Sequence, residues 1–121
     1  MRFMMLTIQK TRVEARTDAE AVATLTTFTR ELQRAGILLA PGRLHPPSTG
    51  ARLSFSNGKP KVTDGPFAEA NEVIGGYWLI QVKSKEEAIA WASRCPASDH
   101  DVIEIRQVQE FGQVWELADL P

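Results

Sequence analysis

The chain has 121 residues, enough for one domain with a core and too few for two of ordinary size. Its formal net charge of −1 gives no general attraction to nucleic acid or to an anionic membrane, so neither is expected as a partner. A single cysteine, Cys95, excludes an internal disulfide, and no apolar run approaches the ~20 residues that span a bilayer. The expected setting is a reducing compartment, the cytoplasm.

The opening "MRFMMLTIQK" is apolar but short, and it lacks the small-residue cleavage site of a signal peptide. It reads as a strand with Met4, Leu6 and Ile8 on one face and Phe3, Met5 and Thr7 on the other. In "TDAEAVATLTTFTRELQRAG" Thr17 and Glu20 stand three apart, a capping box that starts a helix. Val22, Leu25, Phe28 (or Thr29), Leu32 and Ala35 form its apolar stripe, and Gly36 suits the left-handed position after it. A second strand begins at Ile37 and ends in the Pro/Gly-rich "LHPPSTG".

"ARLSFSNGKPKVTD" turns at Asn57-Gly58, a pair that tolerates the positive φ angles of a tight hairpin, and Pro60 marks an edge strand because it cannot donate to a ladder. In "EVIGGYWLIQVKS" Trp78, Ile80 and Val82 share one face, and Tyr77, Leu79 and Gln81 the other, while Gly75-Gly76 suggests a bulge. Ser84 and Glu87 repeat the capping logic for a second helix with Ala88, Trp91, Ala92 and Cys95 on its stripe, stopped by Pro96. "VIEIRQVQEF" closes the pattern, with Ile103 and Ile105 opposite Glu104 and Arg106, and residues 112–121 follow as a C-terminal arm anchored by Trp115.

The order is that of an α+β, ferredoxin-like βαββαβ subunit with an inserted β-hairpin, one domain over residues 1–121. Such a sheet leaves one face without helices. Phe3, Met5, Tyr77 and Leu79 are assigned to it, with Thr7, Gln81, Glu104 and Arg106 as polar company, and a face this apolar calls for a symmetric partner subunit.

Chemistry is sparse. His45 and His100 have no ligand at metal-binding spacing, so no metal or other cofactor is expected. Cys95 lies on a core-facing stripe near a helix C-terminus, where the dipole disfavours a thiolate. Asp64 opens "DGPF": Pro66 has no N–H, so the Asp64 carboxylate must look to Phe67 or beyond, and Gly65 before a proline is either extended or at positive φ. A rigid loop accounts for all four residues, and a ligand contact is the other reading. Proton transfer, if any, would fall to His45, Asp64 or Glu72.

From "VTDGPFAEANEVIGGYWLIQVKSKEEAIAWASRCP", and from "AGILLAPGRLHPP" and "GARLSFSNGKPKVTDGPF" before it, the chain resembles the DGPF-domain proteins of the YCII-related family. The resemblance implies a dimeric α+β barrel and a bacterial, cytoplasmic protein. It also implies, for some DGPF proteins, an association with extracytoplasmic-function sigma factors. The YCII branch carries a His early in the first helix and an Asp just after the second, which fall near Leu25 and at Cys95 here; neither residue can replace its counterpart in acid–base work, so that dyad is not carried over. The leading expectation is a homodimer binding a small organic ligand through Phe3, Met5, Tyr77, Gln81, Glu104 and Arg106, with the DGPF loop and His45 as a rim. The alternative is a regulatory or scaffold protein that docks a partner such as a sigma factor. No particular reaction follows from these residues.

Overall fold

The computed structural model describes residues 1–10, 19–65, 72–97 and 101–109. The chain runs through strand β1 (Arg2–Lys10), helix α1 (Ala19–Arg34), β2 (Leu38–Arg43), a 3-10 turn at Pro47–Thr49, the hairpin β3 (Ala51–Ser56) and β4 (Lys59–Asp64), β5 (Glu72–Gln81), α2 (Lys85–Ala92) and β6 (Val102–Val108). Four strands form one antiparallel sheet in the order β2-β5-β1-β6, and β3-β4 form a separate two-stranded sheet. Thus the fold is mixed α+β, with two helices on an antiparallel sheet. Among the described residues no helix is long and apolar enough to cross a membrane.

The core lies between sheet and helices. Across the sheet, Met5 of β1 stands between Trp78 of β5 and Ile105 of β6, and Phe3 beside Ile80. These side chains meet Phe28 and Leu32 of α1 and Ala88 of α2 in one cluster. The Phe28 and Trp78 rings meet edge to face at 5.2 Å, a favoured aromatic geometry. The buried Trp78 Nε1–H donates to the Thr29 hydroxyl at 3.0 Å, and that hydroxyl donates to the Leu25 carbonyl at 2.9 Å, so the one polar atom of the ring is satisfied.

This placement corrects the assignment of Phe3 and Met5 to the open face. They are 3% and 0% exposed, under the helices. Phe3 pairs with Ile80 and Met5 with Trp78, so they share the face of the strongest core residues of β5. Met4 and Leu6, opposite Leu79 and Tyr77, occupy the open face instead. Residues of β1 are apolar on both faces, so alternation separates the two sets without saying which one meets the helices.

Thr7 pairs with Gly76 and Ile8 with Ile74, so Gly75 is the extra residue of a bulge. Asn57 (φ 53°) and Gly58 (φ 75°) make the hairpin turn, and Gly36 (φ 72°) ends α1. The stripe of α1 is shorter than expected, because Val22 and Ala35 are exposed. Ser84 caps α2 by accepting from the Glu87 N–H at 3.1 Å, and the Glu87 carboxylate accepts from the Lys83 N–H at 2.9 Å. The helix ends at Ala92, so Cys95 packs from the following turn and not from the helix itself. Thr17, Phe67, Glu69, His100 and the arm at 112–121 lie outside the described residues, as do the side chains of Glu20 and Glu72.

Candidate functional site

Strand register orders the open face into rows. One row runs Gly42, Tyr77, Leu6, Glu104 from β2 to β6, and the next runs Ala40, Leu79, Met4, Arg106. The centre is therefore apolar and half-buried, and the β6 edge is charged. Arg106 Nη1 lies 3.5 Å from Glu104 Oε2, an exposed pair on alternate residues of one strand. Gln81 belongs to a third row, opposite Arg2. Four residues of strand separate it from Tyr77, ~13 Å, so the structure groups Tyr77, Glu104 and Arg106 and leaves Gln81 at the far end.

Gly42 was not singled out in the sequence, yet it shapes this surface. A Cβ there would overlap the ring and hydroxyl of Tyr77, so the ring lies directly over the β2 backbone. Only glycine allows that approach. The signal in the sequence was the Pro41-Gly42 pair within a strand, but what fills the space is a residue 35 positions away.

Gly65 packs on the segment that leaves β2. The Leu44 N–H donates to the Gly75 carbonyl at 2.9 Å, which carries β2 on towards His45. The Gly65 N–H donates to the Gly50 carbonyl at 3.0 Å, closing the base of the hairpin. A Cβ on Gly65 would overlap the Pro47 carbonyl. Gly65 is not among the glycines at positive φ, so the requirement is for the missing side chain and not for a left-handed backbone. That contact brings together the segments carrying His45 and Asp64. Both residues are exposed, and among the described residues neither side chain is hydrogen-bonded or ion-paired. Glu72 starts β5 opposite Lys10.

A cleft of about 360 Å³ lies on the helical side, lined by residues including Thr27, Phe28, Glu31, Arg94 and Pro96. Arg94 Nη2 donates to Glu31 Oε2 at 2.8 Å, and its guanidinium lies 4.8 Å from the Trp91 ring centre. The charge that could hold a ligand there already ties the exit of α2 to α1. Burial, with Asp101 nearby, pushes the Cys95 thiol up to about 11, so it is protonated at neutral pH and not a nucleophile. No group of three or more His, Cys, Asp or Glu able to hold a metal occurs among the described residues.

A model of the YCII-related domain matches residues 1–112. An uncharacterized protein of Rhizobium meliloti (strain 1021) is 37% identical over 75 residues, which is 62% of this chain and 60% of that protein's length.

Proposed function

The chain belongs to the YCII-related family, and from that premise we propose that it is a ferredoxin-like subunit of the DGPF branch, forming a symmetric dimer whose facing sheets enclose a small organic molecule. The observation that carries this reading is the open face itself: an apolar centre of Met4, Leu6, Tyr77 and Leu79 beside the charged Glu104–Arg106 edge. A ligand pocket combines an apolar wall with a few placed polar groups, and this face has both. Its chemistry selects a molecule with an apolar body, to lie on Tyr77 and Leu79, and a polar end, to meet Arg106 or Glu104. His45 and Asp64 stand at the rim, within the region where a proton would be exchanged if the ligand is turned over.

A metabolite thermal-shift screen on the purified protein tests the reading. A ligand at a hundredfold excess over its Kd stabilises the fold by ~2.7 kcal/mol. Arg106→Gln and Glu104→Gln should abolish the shift while leaving the dimer intact; a shift of unchanged size in both variants overturns the assignment. The competing reading, a regulatory protein docking a partner such as a sigma factor, draws on the apolar side chains exposed on the hairpin. A broad screen without any shift favours it.

A further inference from the structure

The hairpin β3-β4 has a division of faces that the other described elements do not use. Its register puts Leu53 opposite Val62 and Phe55 opposite Pro60 on one face, and Arg52, Ser54, Lys59, Lys61 and Thr63 on the other. Leu53, Phe55 and Val62 are 52%, 70% and 60% exposed. Among the described elements the two strands pack essentially on each other alone. A free two-stranded hairpin is marginal in water, and a one-sided apolar pattern is the mark of a strand pair with a cover.

Nor is the arm loosely hung. The Gly65 N–H to Gly50 carbonyl bond ties its two strands at the base, and Gly65 seats against the Pro47 carbonyl. The apolar face is thus presented from a fixed base.

Area identifies what covers it. The open sheet face, four strands wide and about seven residues long, has a footprint of ~19 by ~23 Å, or ~440 Å². Stable interfaces need at least ~600 Å² from each partner, so the sheet alone falls short. Six residues of a hairpin add ~20 by ~10 Å, or ~200 Å², and the two together reach ~640 Å². In a two-fold pair each chain gives one arm and receives one, so a single symmetric contact covers both apolar surfaces.

We propose that the hairpin is a clasp between subunits: the Leu53, Phe55 and Val62 face packs on a second copy of this chain beside the sheet-to-sheet contact. This rests on the dimer proposed above. The polar face, with Arg52, Lys59 and Lys61, then stays outward in solvent.

Sedimentation equilibrium on the wild type, on the paired variant Leu53→Ser with Phe55→Ser, and on Leu79→Asp tests both layers. The expected result is a dimer whose Kd rises at least 100-fold in the hairpin variant, with Leu79→Asp monomeric. The mutated hairpin side chains are exposed within the subunit, so circular dichroism should be unchanged. A wild type monomeric at 100 µM sinks the dimer and the clasp together. If Leu79→Asp is monomeric while the hairpin variant keeps its Kd within threefold, the dimer stands and the clasp fails. A photo-crosslinker at position 55, in mixed light and heavy-isotope subunits, gives a second measurement. Cross-links joining light to heavy chains are expected, and cross-links confined within chains overturn the clasp.

Discussion

Replacing Thr29 with valine keeps the shape of the side chain and removes the one acceptor of the buried Trp78 Nε1–H, held at 3.0 Å. Both residues are β-branched, so helix propensity in α1 changes little. Stranding a buried donor costs about 1–3 kcal/mol, against about 0.5–1.5 for the net worth of an ordinary hydrogen bond. Trp78 is nearly fully buried and Thr29 half-buried, which places the expected loss at ~1–2 kcal/mol. For a chain of this size that is a fall in Tm of roughly 4–8 °C. Thr27 supplies the control, because its hydroxyl also back-bonds in α1, to the Ala23 carbonyl at 3.0 Å, but is exposed and has no tryptophan to serve. Thr27→Val should stay within ~0.5 kcal/mol of wild type. Trp78→Phe removes the donor and with it the demand, so Thr29→Val in that background should cost close to nothing. The double-mutant cycle, read by urea unfolding, should then show a coupling of ~1 kcal/mol. A coupling below ~0.3 kcal/mol, or equal losses for Thr29→Val and Thr27→Val, would refute the claim that this bond holds the ring.

Met5→Ala should cost about 2–5 kcal/mol in the same unfolding assay, because the side chain is wholly buried under the helices; a loss under ~1 kcal/mol would contradict its placement in the core. Gly65→Ala forces the backbone at Gly65 off the Pro47 carbonyl and should cost ~1–3 kcal/mol, with faster amide exchange in Ala51–Asp64 than in β1; unchanged exchange there would remove the seat's importance. With its thiol near 11 and not 9.0, Cys95 should alkylate at pH 8 roughly 100-fold more slowly than a free cysteine, and equal rates would falsify the burial argument. The folded chain then holds that proton more tightly than the unfolded one. Its contribution is complete below pH 9.0 and lost as pH rises through about 11, and partial exposure limits the loss to ~1 kcal/mol, measurable as a Tm decline over that window.

Elements whose signals are local were legible in the chain. Ser84 and Glu87 act within one turn, Asn57-Gly58 needs only its own backbone angles, and the faces of β5 follow from alternation of residues with unequal apolarity. The face of β1 was not legible, since Phe3, Met4, Met5 and Leu6 are apolar in both directions and the choice is made by Trp78 and Ile80 some 75 residues later. Gly65 shows a subtler limit. Its neighbour Pro66 suggested a backbone-angle argument, whereas the structure requires a missing Cβ because Pro47 arrives from another part of the chain. For the site, the polar members of the open face, Glu104 and Arg106, and its aromatic, Tyr77, were identifiable by strand parity alone. Their apolar neighbours Met4 and Leu6 and the cradle at Gly42 depend on pairing between strands, which no single segment encodes.

Gly50 and Gly65 are joined by a backbone hydrogen bond, so the chain leaves the body and returns to it at a single point. The β3-β4 pair between them is a sheet of its own, and it contributes no strand to the β2-β5-β1-β6 sheet. Variation in length or composition between these two glycines can therefore proceed without reopening the folding problem of the domain. A joint of this kind also gives engineers a port, where a different hairpin could be spliced to change which surface the subunit meets while the sheet beneath it stays the same.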